Sequence, residues 1–229
     1  MTMQVGMLAS NGLVLASDTK CSRDSLMLDG LTADDDYGCS KIRIHDSGRM
    51  AVTCARDMIA ANKLAETLFT ELRPECWENP ERYIREIGRN TMTAIDPNLD
   101  IECLIGLSTH PASLFKFQYA RGGKDILSDR ILTYAHTGHA LNAAIFWSLR
   151  HYTIRPVRNL VTLASVLIAD AAAINSARIG GLEVVYGDFN GFHRYTLEEN
   201  RKLESEAKRL SKKVGSQALR PFSVSSTVL

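Results

Sequence analysis

Two apolar runs near the start of the chain constrain its fold more than any other feature of the sequence. Residues 3–9 and 12–18 are mostly apolar, and Asn11-Gly12 between them is a dipeptide typical of a tight hairpin turn. The second run contains GLVLAS, which is apolar at successive positions, so both faces of this strand must be covered. The sequence therefore predicts a β-hairpin that lies between two other layers of structure.

Further hairpins and helices follow along the rest of the chain. Turn residues between apolar runs predict strands on either side of 46–48, near 101–108, 113–120 and 131–136, and on either side of 188–191. Apolar residues at helical spacing and helix-start signals predict helices near 58–72, 80–94, 138–151, 158–177 and 197–213. The polar residues 21–40 are predicted to form a loop or a pair of irregular strands, and residues 214–229 a tail.

The order of these elements favours an antiparallel α+β protein. Consecutive strands form hairpins instead of the βαβ units of a parallel sheet. The helices need sheets to cover their apolar faces, and the strands need cover on both sides. A pair of sheets between two helical layers meets both requirements. Because no repeat or linker interrupts the sequence, we predict a single domain over residues 1–229, in which 197–229 form a C-terminal helix and tail.

Charge and hydropathy argue against several classes of function. The 27 basic and 26 acidic residues give the 229-residue chain a net charge of +1, which argues against nucleic acid or a membrane surface as a partner chosen by bulk charge. No apolar run reaches the roughly 18 residues of a membrane span. No signal peptide precedes the first predicted strand, so we expect a cytoplasmic protein.

The cysteines and histidines do not form a metal-binding pattern. The five cysteines include no CxxC pair, and we expect them to be reduced and packed. A metal site or a Cys–His dyad is the alternative suggested by His136, His139, His151 and His193, but their spacings match no usual zinc pattern. We therefore expect neither a metal ion nor another cofactor.

Four stretches of the sequence resemble the β-type subunits of the proteasome. They are TMQVGMLASNGLVLASDTK, SKIRI, HTGHALNA and SARIGG. The resemblance covers most of residues 2–192 and points to the bacterial relatives HslV, Anbu and the betaproteobacterial proteasome homologue, the last two more than the eukaryotic subunits. It implies an N-terminal-nucleophile hydrolase with a four-layer αββα sandwich, whose mature chain begins with a catalytic threonine.

The resemblance assigns the central chemistry to Thr2, Asp18 and Lys41. Thr2 matches the nucleophile, Asp18 follows at the family's spacing, and Lys41 before IRI matches the catalytic lysine. A threonine hydroxyl is a weak nucleophile until a base takes its proton, and a free N-terminal amine, exposed by removal of Met1, can be that base. Lys41 would lower the pKa of this amine and stabilise the charged Thr2 oxygen, while Asp18 would hold Lys41 in place.

The resemblance also assigns three positions near these residues, and at each of them this chain differs from the usual residue of the family. Thr137 lies where the family usually has a serine in a Gly-Ser-Gly turn. Ser176 lies at a position that is commonly aspartate, and Ile179 at one that is often serine. We expect Thr137 and Ser176 to contribute hydroxyl groups to the catalytic site.

The oxyanion turn and the substrate pocket complete the implied site. The family usually has glycines at the turn, whereas this chain has Cys54-Ala55-Arg56. A backbone donor requires no particular side chain, so the Ala55 N–H is the candidate oxyanion donor. The residues that align with the family's substrate pocket are Cys21, Thr53 and Asp57. The acidic Asp57 would favour a basic side chain on the substrate.

These residues predict a threonine-type endopeptidase subunit of a self-compartmentalising ring or helical homo-oligomer. Its partners would be other copies of the chain and a polypeptide substrate, and the resemblance allows an ATP-dependent unfoldase. One alternative is an inactive scaffold subunit of such an assembly, which the residues at 176 and 179 and the missing turn glycines favour. Another is an amidase that uses the same Thr2 chemistry on a small amide.

Overall fold

The computed structural model describes residues 2–20, 39–96, 98–120, 122–138, 149–176 and 179–218. In these ranges, two antiparallel sheets lie face to face, and helices cover the outer face of each. The α+β class and the four-layer αββα sandwich are therefore confirmed.

The strands and helices follow the predicted order closely. The strands are β1 (Met3–Ala9), β2 (Gly12–Ser17), β3 (Ile42–Ile44), β4 (Met50–Thr53), β5 (Ala55–Arg56), β6 (Ile101–Leu107), β7 (Ser113–Ala120), β8 (Asp125–Ile131), β9 (Tyr134–Gly138), β10 (Glu183–Asp188) and β11 (Gly191–Arg194). The helices are α1 (Met58–Glu71), α2 (Pro80–Ile95), α3 (Val157–Ile174) and α4 (Leu197–Ala218), with a 3₁₀ turn at Pro74–Glu78.

Each sheet combines strands that are distant in sequence. The first sheet has the order β11-β10-β2-β1-β9, with the N-terminal hairpin at its centre. The second has the order β3-β4-β6-β7-β8, and the short β5 also pairs with β6. Every pair of neighbouring strands is antiparallel, as expected for a fold built from hairpins.

The side chains of β2 show why the N-terminal hairpin lies inside the fold. Leu13 and Leu15 point towards the second sheet and belong to the apolar cluster between the sheets. Val14 and Ala16 point the other way and pack in the cluster that includes α3. All four side chains are fully buried. The successive apolar positions of GLVLAS are therefore covered on both faces, as predicted.

Two predicted boundaries are wrong. The region predicted as one strand at 131–136 contains the end of β8, a turn and the start of β9. The C-terminal helix α4 continues to Ala218, so the first residues of the predicted tail are helical. The rest of that tail, most of the helix predicted at 138–151 and most of the loop predicted at 21–40 lie outside the described residues.

Among the residues that the structure describes, one helix is long and apolar enough, by length and composition alone, to cross a membrane. It is α3, and half of its residues are buried inside the fold. Leu160, Val161 and Ala164 pack against the first sheet in the same cluster as Val14. A core helix of this kind passes the same length test, so α3 is weak evidence for a membrane span.

The expectation that all five cysteines are reduced is wrong at Cys39, whose sulfur is in a disulfide bond. Such a bond restricts the unfolded chain and thereby stabilises the fold. Cys54, Cys76 and Cys103 have free thiols. Burial raises the pKa of Cys54 to about 12, against the nearby charge of Arg43, and raises the pKa of Cys103 well above its usual value. These two thiols are packing groups, because the reactive form of cysteine is the thiolate.

Candidate active site

Thr2, Asp18 and Lys41 meet at one end of the first sheet. The pairing of β1 with β2 brings Asp18 beside the start of β1, where the Met3 N–H donates to Asp18 Oδ1 at 2.8 Å. Lys41 lies just before β3 and reaches across from the second sheet. Its Nζ atom donates to Asp18 Oδ2 at 2.9 Å and to Thr2 Oγ1 at 3.3 Å.

The ion pair between Asp18 and Lys41 lies in a dry environment. The two side chains are 0% and 2% exposed. Burial lowers the pKa of Lys41, although the charge and hydrogen bond of Asp18 oppose this. Burial also raises the pKa of Asp18, against Lys41 and the backbone N–H groups of Met3 and Lys20. A lysine with a lowered pKa releases its proton more readily than an ordinary lysine, and its charged form still donates hydrogen bonds.

Ser176 reaches the site through its backbone. Its residue is exposed, and its carbonyl accepts a hydrogen bond from Lys20 Nζ at 3.0 Å. The carbonyl of Lys20 in turn accepts from Lys41 Nζ at 2.6 Å. The nearby Ile179, at a position that is often serine in the family, is 1% exposed and packs in the α3 cluster. This segment supports the backbone that follows Asp18.

Thr137 is buried beneath the site, on β9. Its hydroxyl donates to Gln4 Oε1 at 2.8 Å, and Gln4 Nε2 donates to the Cys54 carbonyl at 2.6 Å. Thr137 and Gln4 are 1% and 0% exposed. This chain of hydrogen bonds joins β9 and β1 to the turn between β4 and β5, so it connects the strand of Thr2 with the candidate oxyanion turn.

The candidate oxyanion turn has the backbone shape that favours glycine, although it contains none. Arg56 has a φ of 72°, in the left-handed region. Ala55 is fully buried, and β5 pairs with β6 through Ala55 and Glu102. The residue that carries the proposed oxyanion donor therefore lies against β6.

Glu102 links this turn to the strand beside Thr2. Its Oε1 atom accepts from Arg56 Nη2 at 2.6 Å, and its Oε2 atom accepts from the Gly138 N–H at 3.0 Å. A Cβ atom at Gly138, whose φ is 87°, would overlap the Thr2 carbonyl oxygen, so only glycine fits there. Burial raises the pKa of Glu102, but the Gly138 N–H, Arg56 and Lys116 together outweigh it and lower the pKa overall.

A second buried carboxylate, Glu183, lies on the other side of the site. It accepts hydrogen bonds from the backbone N–H groups of Lys41 and Ile42. Glu102 and Glu183 were both missed by the sequence analysis. The available signal was an acidic residue inside an otherwise apolar strand, as in IECLIG and LEVVYG, because such a charge needs a buried partner.

The structure places the expected pocket residues in structural contacts. Thr53 is fully buried, and its Oγ1 atom accepts from the Leu104 N–H at 2.9 Å. Asp57 caps the start of α1, where its Oδ1 atom accepts from the Ala60 N–H at 2.8 Å. Cys21 lies outside the described residues. Within the ranges described above, no group of three or more His, Cys, Asp and Glu residues could hold a metal ion.

The fold is shared with solved structures of the Anbu proteins. Among solved structures, the chain is similar to Anbu, the ancestral β-subunit, from Yersinia bercovieri, with a TM-score of 0.68, 16% identity and coverage of 96% of this chain and 98% of that one. It is also similar to a Gly-1 mutant of Anbu from Hyphomicrobium sp. strain MC1, with a TM-score of 0.66, 13% identity and coverage of 96% and 100%.

A third similar structure is an assembly. It is the helical assembly of the Anbu complex from Pseudomonas aeruginosa, with a TM-score of 0.66, 14% identity and coverage of 94% of this chain and 95% of that one. No protein-family model matches the sequence, and no curated protein matches it either. The resemblance to this bacterial group is thus confirmed at the level of the fold.

Proposed function

We propose that this chain is a threonine-type endopeptidase subunit of a self-compartmentalising, proteasome-like assembly. The observation that carries the proposal is the position of Lys41 Nζ, which lies 3.3 Å from Thr2 Oγ1 while Asp18 holds it at 2.9 Å. A charged or proton-exchanging group beside a hydroxyl is the arrangement that activates a nucleophile.

The reaction would be an acyl transfer after removal of Met1. The free α-amine of Thr2 takes the hydroxyl proton, and Thr2 Oγ1 attacks a peptide carbonyl. Collapse of the tetrahedral intermediate transfers a proton to the leaving amine and leaves an ester on Thr2, which water then hydrolyses. Lys41 stabilises the charged Thr2 oxygen and lowers the pKa of the α-amine. Base catalysis of this kind contributes about 10²–10⁴ in rate.

Self-association is part of the proposal. The Pseudomonas aeruginosa Anbu complex, which has the same fold, forms a helical assembly. We infer that copies of this chain also assemble, in the cytoplasm, around a chamber that admits unfolded polypeptide. An ATP-dependent unfoldase would be the partner that supplies such a substrate.

A scaffold subunit is the second candidate function. The observation that favours it is the backbone of the candidate oxyanion turn, where Arg56, with a φ of 72°, stands in a turn that usually has glycines in the family. A turn held in another arrangement lacks the oxyanion donor, and loss of one such donor costs about 10²–10³ in rate. An inactive subunit would keep the fold without this donor.

The deciding experiment combines intact mass with a covalent probe. A peptide epoxyketone forms a ring with both the hydroxyl and the α-amine of an N-terminal threonine, so it requires Met1 to be absent. We expect the protein from its own host to lack Met1 and to gain the mass of one probe. Thr2→Ala should not react, Lys41→Met should react at least about 10²-fold more slowly, and the exposed Lys63→Met serves as the matched control.

The alternatives give different results in the same experiment. A chain that retains Met1, or that lacks Met1 and does not react, contradicts the peptidase proposal and supports the scaffold. A chain that reacts and hydrolyses small amides but leaves an unfolded polypeptide intact supports the amidase.

A further inference from the structure

We propose that Glu183 is a positioning residue that holds the backbone of Lys41 in register with Asp18 and Thr2. Glu183 Oε2 accepts the Lys41 N–H at 2.9 Å and the Ile42 N–H at 3.3 Å. The carboxylate is at the start of β10 in the first sheet, whereas Ile42 begins β3 of the second sheet and Lys41 directly precedes it. Glu183 therefore ties the two sheets together at the residue that carries the reactive ammonium group.

The other oxygen of Glu183 is also occupied. Glu183 Oε1 accepts the Ser40 hydroxyl at 2.7 Å and forms an ion pair with the Arg194 guanidinium. Arg194 in turn donates to the Ile42 carbonyl. Because Glu183 is only 5% exposed, its charge needs these donors, and it cannot move without breaking several of them.

Glu183 binds the backbone N–H of Lys41, and a second hydrogen bond holds the backbone carbonyl of Lys41. The Lys41 carbonyl accepts the Cys54 N–H at 2.8 Å, so both backbone polar groups of Lys41 are held. Glu183 is the pairing partner of Ser17, the residue before Asp18. Two carboxylates from neighbouring strands thus flank Lys41, one binding its ammonium group and the other its backbone.

The consequence for the reaction rests on the proposed function. The side chain of Lys41 must reach Asp18 and Thr2 simultaneously, so a shift of its backbone moves Nζ away from Thr2 Oγ1. A misplacement of about 1 Å in such a constellation can lower a rate about 10²-fold. The hydrogen bonds from Lys41 and Ile42 to Glu183 do not depend on whether the reaction occurs, so their effect on Lys41 can be measured separately.

The test compares Glu183→Asp, Glu183→Gln and Glu183→Ala with the exposed Glu198→Gln as the control. Asp keeps the charge but withdraws the carboxylate by about one C–C bond, ~1.5 Å. Gln keeps an acceptor oxygen in reach of the two N–H groups. Two quantities are measured on the full chain: the titration midpoint of the Lys41 ammonium by NMR of labelled lysine, and the maximal rate and half-saturation concentration for the epoxyketone.

We expect the titration midpoint of Lys41 to rise towards that of an ordinary lysine in Glu183→Asp and Glu183→Ala, because a displaced side chain is less buried. The maximal rate should fall about 10²-fold in both variants with little change in half-saturation, whereas Glu183→Gln should stay within about tenfold of the wild type. Glu198→Gln should match the wild type in both measurements.

The results separate this inference from the proposed function. If the wild-type protein does not react with the probe, the proposed function fails, and the Lys41 midpoint alone decides the inference. A folded Glu183→Asp protein with the wild-type Lys41 midpoint would overturn it. If Glu183→Ala does not fold, Glu183→Asp and Glu183→Gln still decide, because a purely structural role would lower stability without moving Lys41.

Discussion

Lys41 and Asp18 form an ion pair at 2.9 Å in which neither side chain is more than 2% exposed. Removing two charges from water is expensive, and apolar side chains of similar volume often give equal or greater stability. The pair is thus poorly explained by stability alone. Its geometry, with Nζ also 3.3 Å from Thr2 Oγ1, suggests that the pair is kept for the orientation of the ammonium group.

Because both charges are buried, removal of either one leaves the other without its partner, so the two losses of stability should not add. We expect Asp18→Asn and Lys41→Met each to lower the free energy of unfolding by about 3–5 kcal/mol. The double variant should lose clearly less than the sum of the two. Urea unfolding of the wild type, the two single variants and the double variant measures this double-mutant cycle. Additive losses would show that the two side chains do not interact energetically.

The lowered pKa of Glu102 predicts a dependence of stability on pH. A carboxyl group whose folded pKa lies below its usual value of 4.5 stabilises the fold above that value, and this contribution is lost as the pH falls through the folded pKa. We expect Glu102→Gln to be destabilised relative to the wild type at pH 7 and the difference to shrink below about pH 4.5. Urea unfolding across this range measures it.

The matched control for Glu102 is the exposed Glu198, whose partner Lys202 lies on the same helix. Glu198→Gln should change the free energy of unfolding by no more than about 0.5 kcal/mol at either pH. If the difference in stability between Glu102→Gln and the wild type stays constant from pH 7 to pH 3, the pKa of Glu102 is not lowered in the folded protein.

Two substitutions separate the effect of the positive φ of Arg56 on stability from the effect of its ion pair. Both Arg56→Gly and Arg56→Ala remove the guanidinium group from Glu102. Only glycine adopts a φ of 72° without strain. Arg56→Gly should therefore be more stable than Arg56→Ala by about 1 kcal/mol, measured by thermal or urea unfolding. Equal stability would indicate that the turn relaxes when the ion pair is lost.

The buried hydrogen bond between Thr137 and Gln4 predicts that Thr137→Val and Thr137→Ser differ in stability. Thr137→Val replaces the hydroxyl with a methyl group and leaves Gln4 Oε1 without its donor, so we expect a loss of about 1–3 kcal/mol. Thr137→Ser keeps the donor and should lose less. If Thr137→Ser is as unstable as Thr137→Val in urea, the hydroxyl is not the group that matters.

The proposed amine base predicts the pH profile of the reaction. An α-amine titrates near about 7.7–8.0 in model compounds, and a neighbouring ammonium group lowers this pKa. The rate of epoxyketone labelling should thus rise with pH and level off, with a midpoint below about 7.7. A profile that keeps rising above pH 9 would point to a different base.

The prediction of the fold succeeded where local pattern and burial agree. The apolar run from Gly12 to Ser17 predicted a strand covered on both faces, and Leu13 and Val14 indeed pack in different clusters. It failed at β8, which among the described strands pairs only with β7 and leaves Leu127 45% exposed. An edge strand with so many exposed positions has little hydrophobic periodicity to detect.

For the candidate site, the resemblance to proteasome β-type subunits pointed to Thr2, Asp18 and Lys41, and the structure brings them together. It did not reveal Glu102 or Glu183, and it assigned Thr137 and Asp57 to catalysis and substrate binding without showing their contacts with Gln4 and Ala60. A residue type and its neighbours in the chain do not specify a partner that lies on another strand.

The sequence by itself determined the order of the strands and helices, because alternation, turn residues and helix caps act over a few residues. Only the tertiary structure decided which polar groups meet. Lys41 finds Asp18 across 23 residues, and Glu183 finds the Lys41 N–H across 142. Such pairs form when two sheets stack and exclude water, since a buried charge must then bind the nearest donor that the other sheet presents.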